Sequence, residues 1–122
     1  MNNPPLPQSV LAAPAVHPPT REMMLQSKFL PWVVRVVAEG PFVTVADVLA
    51  ALYRELRHRI TKREWEAAGS SRSVQRAYEA RCEVDPSERP KGIKRIDFLL
   101  GQTVVEALVR TKDGTWHIES HA

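Results

Sequence analysis

An α+β domain is the fold class this sequence predicts: a mostly antiparallel sheet of two N-terminal and two or three C-terminal strands, with three helices packed on one face. Three observations predict it. A β-branched run, Trp32-Val33-Val34-Arg35-Val36-Val37, has the composition of a strand. Three helix starts follow within residues 44–72, each opened by a hydroxyl side chain. After a Pro/Gly-rich break at 84–92, apolar and polar residues alternate again to the end. Strands, then helices, then strands is the order of an α+β chain rather than of an alternating parallel one.

Residues 1–19 hold six of the ten prolines and no charged side chain apart from His17. Such a segment lacks amide donors and apolar area, which predicts an extended or disordered tail, with a single domain over 20–122. Pro4-Pro5-Leu6-Pro7 is a minimal PxxP without a flanking basic residue, a weak ligand for a proline-reading module. The first strand is expected over Met23-Met24-Leu25-Gln26-Ser27. The second places Trp32, Val34 and Val36 on one face and Val33, Arg35 and Val37 on the other.

Gly40-Pro41 then turns the chain into the strongest element, residues 43–59. Thr44 and Asp47 form a capping-box-like pair, and Val45, Val48, Leu49, Leu52, Tyr53 and Leu56 recur at steps of three and four. Thr61 and Glu64 repeat the box for a shorter helix with Trp65 and Ala68 on its apolar side, ended by Gly69. Ser70 or Ser71 opens a third helix over 72–83, with Val74, Ala77, Tyr78 and Cys82 inward. Residues 84–92, with Pro86, Pro90 and Gly92, read as a loop. Alternation of Ile96, Phe98 and Leu100 with Asp97 and Leu99 predicts a strand ending at Gly101. Residues 102–109 offer another, Thr111–Thr115 a hairpin turn, and Trp116-His117-Ile118 a closing strand.

The apolar fraction of 43% and charged fraction of 25% are those of a globular protein, and 122 residues suit one domain. No apolar run is long enough to span a bilayer, and prolines interrupt any secretory-type leader. One cysteine, Cys82, fits a reducing compartment, so an intracellular, cytoplasmic or nuclear location is expected. Charge is uneven: residues 70–95 carry seven Lys/Arg against four Asp/Glu, and residues 96–122 carry two against four. Arg72, Arg76, Arg89, Lys91, Lys94 and Arg95 are therefore the candidate polyanion-binding residues, although a dedicated nucleic-acid domain usually shows a larger excess.

No catalytic, metal or phosphate-cradling motif is present, so no catalytic residue, metal or cofactor is expected. Cys82 lies on an apolar stripe and reads as a small core hydrophobe, while His17, His58, His117 and His121 are scattered. Asp97 is the one oddity, a carboxylate between residues that should face the core. Its structural reading is an ion pair with a basic residue of the third helix, Arg81, whose stem can lie on apolar surface at the stripe margin. Its functional reading is an enzymatic carboxylate in a cleft.

VTVADVLAALYRELR (43–57), AYEARC (77–82) and GIKRIDFLLG (92–101), followed by the Trp116-His117-Ile118 strand, together resemble a domain-of-unknown-function family abundant in mushroom-forming fungi. The likeness spans about residues 16–120. Members commonly carry an aromatic-rich opening that this chain lacks, which raises the question of an open sheet edge. The resemblance implies no activity for any residue. The sequence thus points to a non-catalytic protein-interaction module whose partner is another protein rather than nucleic acid, with no membrane. Polyanion binding through 72–95 and an enzyme using Asp97 are the alternatives.

Overall fold

A computed structural model of the chain describes residues 6–69, 71–102 and 104–121. Its elements follow in order as helix α1 (Gln8–Leu11), strands β1 (Glu22–Gln26) and β2 (Val34–Val37), helices α2 (Val45–Leu56), α3 (Lys62–Ala67) and α4 (Arg72–Val84). Two 3₁₀ segments (Pro86–Lys91 and Arg95–Leu99) and strands β3 (Val104–Arg110) and β4 (Trp116–His121) complete the chain. The sheet order is β2-β1-β4-β3. Two antiparallel ladders, β1/β2 and β3/β4, are joined by a short parallel contact in which Leu25 lies opposite Trp116. The result is an α+β fold on a mixed four-stranded sheet.

Both capping boxes form. Thr44 Oγ1 accepts the Asp47 amide at 3.1 Å while Asp47 Oδ2 accepts the Thr44 amide at 3.0 Å. Thr61 and Glu64 repeat this at 3.1 Å in both directions, and Ser71 Oγ caps α4 through the Val74 amide. Each such cap satisfies donors that the first turn leaves orphaned, worth about 1 kcal/mol. Ser70, the other candidate cap, lies outside the described residues.

The inward sheet residues Met23, Leu25, Val34, Val36 and Ile118 pack with Val48, Ala51 and Leu52 of α2 in the larger core cluster. Burial in β1 and β2 alternates as a half-covered sheet requires. A second cluster, Leu30, Val74, Phe98 and Leu99 with Trp32, Trp65 and Ile96 at its margin, gathers α3, α4 and the second 3₁₀ segment. Leu56 touches both clusters, so α2 joins the sheet layer to the helical layer.

Four sequence expectations are corrected. The apolar stripe of α2 is rotated: Ala51 is buried, whereas Leu49 is 39% and Tyr53 64% exposed. A small residue at 51 lets the helix approach the sheet, and the larger pair is turned outward. Residues 96–100 form no strand but a 3₁₀ turn, because Asp97 Oδ2 accepts the Lys94 amide and Phe98 and Leu99 are buried side by side. Successive strand residues cannot both face one core. Residues 86–91 form a 3₁₀ turn instead of an irregular loop.

The fourth correction concerns the N-terminal segment. Ala15 donates its amide to Val43 O at 2.9 Å, Val45 donates to Ala13 O at 3.0 Å, and Val16 joins the larger cluster at 7% exposure. Residues 13–16 thereby border the start of α2 as an extended edge, with Pro14 bridged to Thr44. The prolines exclude a long helix without excluding docking, since a backbone without some of its donors still offers carbonyls and apolar rings.

Candidate functional site

The densest polar region lies where α4 meets the two 3₁₀ segments. Arg81 projects from the margin of the α4 stripe, its stem beside Tyr78 with the guanidinium 5.6 Å from that ring. Its Nε donates to Asp97 Oδ1 at 2.9 Å and its Nη2 to Asp97 Oδ2 at 3.0 Å, a bidentate pair. Nη1 donates to Glu88 Oε1 at 2.9 Å and Nη2 also reaches Gly92 O at 3.2 Å. Asp97, 2% exposed, additionally holds the Lys94 amide at 2.9 Å. The hydrogen bond to Asp97 raises the Arg81 pKa above its ordinary value, so the charge is fixed.

Glu88 is the second hub. Its Oε1 accepts Lys94 Nζ at 2.8 Å and its Oε2 pairs with Lys91 Nζ at 2.7 Å. Lys91 and then Lys94 hold the Glu88 carboxyl down to about 2, from an ordinary 4.5. Sequence reasoning passed over Glu88. The usable signal is spacing, since a 3₁₀ turn places residues three apart on one side and Lys91 follows Glu88 by three.

A neighbouring cluster centres on Arg95. Nη1 meets Glu55 Oε2 at 3.0 Å, the guanidinium stacks 4.6 Å over Trp32, and Trp32 meets Phe98 edge-on at 4.9 Å. Nε lies 3.5 Å from Glu64 Oε2, within ion-pair range, but both atoms are buried without a hydrogen bond. That contact is Coulombic only. Arg95 thus ties α2, α3 and the segment before β2 together.

Of the candidate polyanion binders, Lys91 and Lys94 converge on Glu88 and Arg95 serves Glu55 and Glu64. Lys94 is 7% exposed. Arg72 and Arg76 stand apart on the exposed side of α4, and Arg89 is exposed with its carbonyl taken by the Tyr78 hydroxyl at 2.6 Å. Three of the six are thus paired with carboxylates, and three are exposed without such a partner among the described residues. Asp97 is enclosed by Arg81 and faces no cleft.

No group of three or more metal-ligating side chains occurs among the described residues, and no described helix is long and apolar enough to cross a membrane. One depression of about 210 Å³ is lined by Pro18, Pro19, Thr20, Glu22, Arg110 and Trp116. That is below the roughly 300 Å³ of a small-molecule site. Glu22 is already bonded to Arg35 at 2.7 Å. The Arg81, Glu88 and Asp97 contacts tie α4 to the two 3₁₀ segments.

The model of the family of unknown function DUF6699 matches residues 1–114. No curated protein and no solved structure matches the chain.

Proposed function

We propose that this chain, which belongs to that family of unknown function, is a non-catalytic protein-interaction module. One observation carries the reading: α2 covers one side of the sheet, and residues on the other side stay exposed. Met24, Val37 and Val109 are 36%, 56% and 44% exposed on or beside that outer face. Strand β3 pairs only with β4, so its far edge offers alternate amides and carbonyls to an extended segment of a partner protein. The groups that could otherwise do chemistry, Asp97 and Glu88 above all, are enclosed by cations. Polyanion binding through 72–95 is weakened by the same pairing, since Lys91, Lys94 and Arg95 are neutralised by carboxylates. The reading places the module inside the cell, in cytoplasm or nucleus and in a fungal host, and leaves Cys82 a reduced, buried core residue.

The test compares the wild-type chain with a Val37→Lys/Val109→Lys variant in affinity capture from host lysate, with and without nuclease. Lysine at exposed edge positions blocks strand addition with little effect on folding. The expected result is a set of proteins retained after nuclease treatment and lost from the variant. Identical capture by both proteins, or capture abolished by nuclease, overturns the reading.

A further inference from the structure

A run of open basic residues lies at 54–63, ahead of the basic 70–95 stretch. Arg54, Arg57, Arg59, Lys62 and Arg63 face a single acid within 54–63, Glu55, and Glu55 is paired to Arg95 from the second 3₁₀ segment. All five cations and His58 are exposed, and none has a carboxylate partner among the described residues. Glu64, the next acid, is occupied by the Thr61 amide and Arg95; Glu66 follows, exposed.

Two of these arginines are ordered by something other than an acid. Arg57 lies on Tyr53, its guanidinium 4.8 Å from the ring and its Nη1 donating to the phenol oxygen at 2.6 Å. Arg59 sits in a short antiparallel pairing with Lys94, fixed by Ile60 N to Ile93 O at 3.1 Å and Arg95 N to His58 O at 2.9 Å. Its guanidinium lies over Gly92, where a Cβ would approach Arg59 Nε to 3.1 Å. Each side chain therefore has a contact that restrains it, one Arg57 donor being taken by Tyr53, and both residues remain exposed. Arg57 and Tyr53 are also residue types that dominate protein interfaces. The negative end of α2 accounts for a preference for cations in its last turn, but not for Lys62 and Arg63 beyond it.

We infer that this surface docks an acidic segment of a partner protein, with Arg57 and Arg59 as bidentate carboxylate clamps and Tyr53 as the aromatic contact. A carboxylate-bearing peptide is favoured over a phosphate polymer by the charge of the whole chain. That charge is only +3, with a net negative C-terminal third, too weak to steer a long polyanion. The inference rests on the interaction-module reading but on a different surface, α2 lying against the inner side of the sheet.

The experiment measures anisotropy of a fluorescein-labelled decapeptide of alternating Asp and Glu, with a neutral Gly/Ser decapeptide and a mixed-sequence single-stranded DNA as comparisons. Wild type is expected to bind the acidic peptide saturably and better than either comparison. Arg57→Ala/Arg59→Ala should lose at least about 10-fold, while Arg72→Ala/Arg76→Ala, which removes the same charge from α4, should stay within about 2-fold. Tyr53→Ala/Arg57→Ala, at two exposed positions, carries the test if the Arg59 change disturbs folding, and should also lose most of the affinity. Absence of saturable peptide binding overturns the inference, as does equal loss in the α4 variant, which would mean charge without a site. Tighter binding of the DNA overturns it in favour of a phosphate partner. Proteins still captured through the sheet edge in any of these outcomes leave the module reading standing; capture lost as well removes both.

Discussion

Removing Arg81 should damage this protein more than removing any other surface-reaching charge. Asp97 is 2% exposed and takes three hydrogen bonds, two from Arg81 and one from the Lys94 amide. Arg81→Met keeps the stem packed beside Tyr78 but leaves Asp97 as a buried anion with one donor, a loss of about 3–5 kcal/mol. Asp97→Asn is milder, because Arg81 keeps Glu88 and Gly92 O, while one amide hydrogen faces an unwilling donor; about 1–3 kcal/mol is expected. In the double variant the stranded anion no longer exists, so its destabilisation should fall short of the sum by about 1–3 kcal/mol. Urea unfolding followed by circular dichroism reads this directly. With a slope of about 1–3 kcal/mol per molar urea and a loss of about 3–5 kcal/mol, Arg81→Met should lower the midpoint by roughly 1 M or more. Out of a total stability of about 5–15 kcal/mol, that is a large share. Additive effects, or an Arg81→Met midpoint equal to wild type, would show that solvent screens the pair and that the lock described above is ornamental.

Removing residues 1–16 deletes Val16 from the core, worth about 1.5–3 kcal/mol, and two backbone bonds to the start of α2, worth about 0.5–1.5 kcal/mol each. A fall of several degrees in melting temperature is expected, and an unchanged one would mean that the segment does not dock in solution. Gly92→Ala should cost about 1–3 kcal/mol, because φ 80° and ψ −175° is a region only glycine enters readily and the new Cβ meets Arg59. It should weaken the acidic decapeptide too, and full stability in the alanine variant would refute the crowding. Stability should also fall in acid. The folded-state pKa of Glu88 is depressed, so its contribution is complete above the ordinary 4.5 and vanishes as pH drops through about 2. Asp113, lowered from 3.8 to about 2 by Thr111 and Thr115, loses its contribution as pH drops through about 2, and Glu22, lowered by Arg35, acts in the same direction. Urea midpoints between pH 5 and 2 should decline less steeply for Glu88→Gln than for wild type, and parallel curves would contradict the assignment.

Local chemistry was legible wherever one segment suffices to specify it. Thr44 with Asp47 and Thr61 with Glu64 announce helix starts because both partners of each box lie within one turn. The alternation of Val34 and Val36 with Arg35 and Val37 fixes which face of β2 is buried, whatever it packs against. Cys82 and Val74 are core residues by spacing alone. The Arg81–Asp97 pair was within reach because an acid among core-facing residues needs a cation, and the third helix offered one at its stripe margin.

What the sequence could not show depends on partners distant along the chain. Residues 96–100 are too short and too uniformly apolar for periodicity to separate a strand from a 3₁₀ turn; the Lys94 amide on Asp97 decides it. Composition marks 70–95 as basic, yet Glu88 and Glu55 engage Arg81, Lys91, Lys94 and Arg95 of that stretch, while the cations of 54–63 stay open. A proline-rich start reads as a tail because prolines remove donors, but Val43 and Val45 supply the backbone partners that bind it. By itself, then, the sequence determined which segments become helices and strands and which of their faces are apolar, since those follow from steric and hydrogen-bonding preferences a few residues long. The tertiary structure decided which charges remain open and which are enclosed, because neutralisation depends on distances of 3–4 Å between residues that only folding brings together.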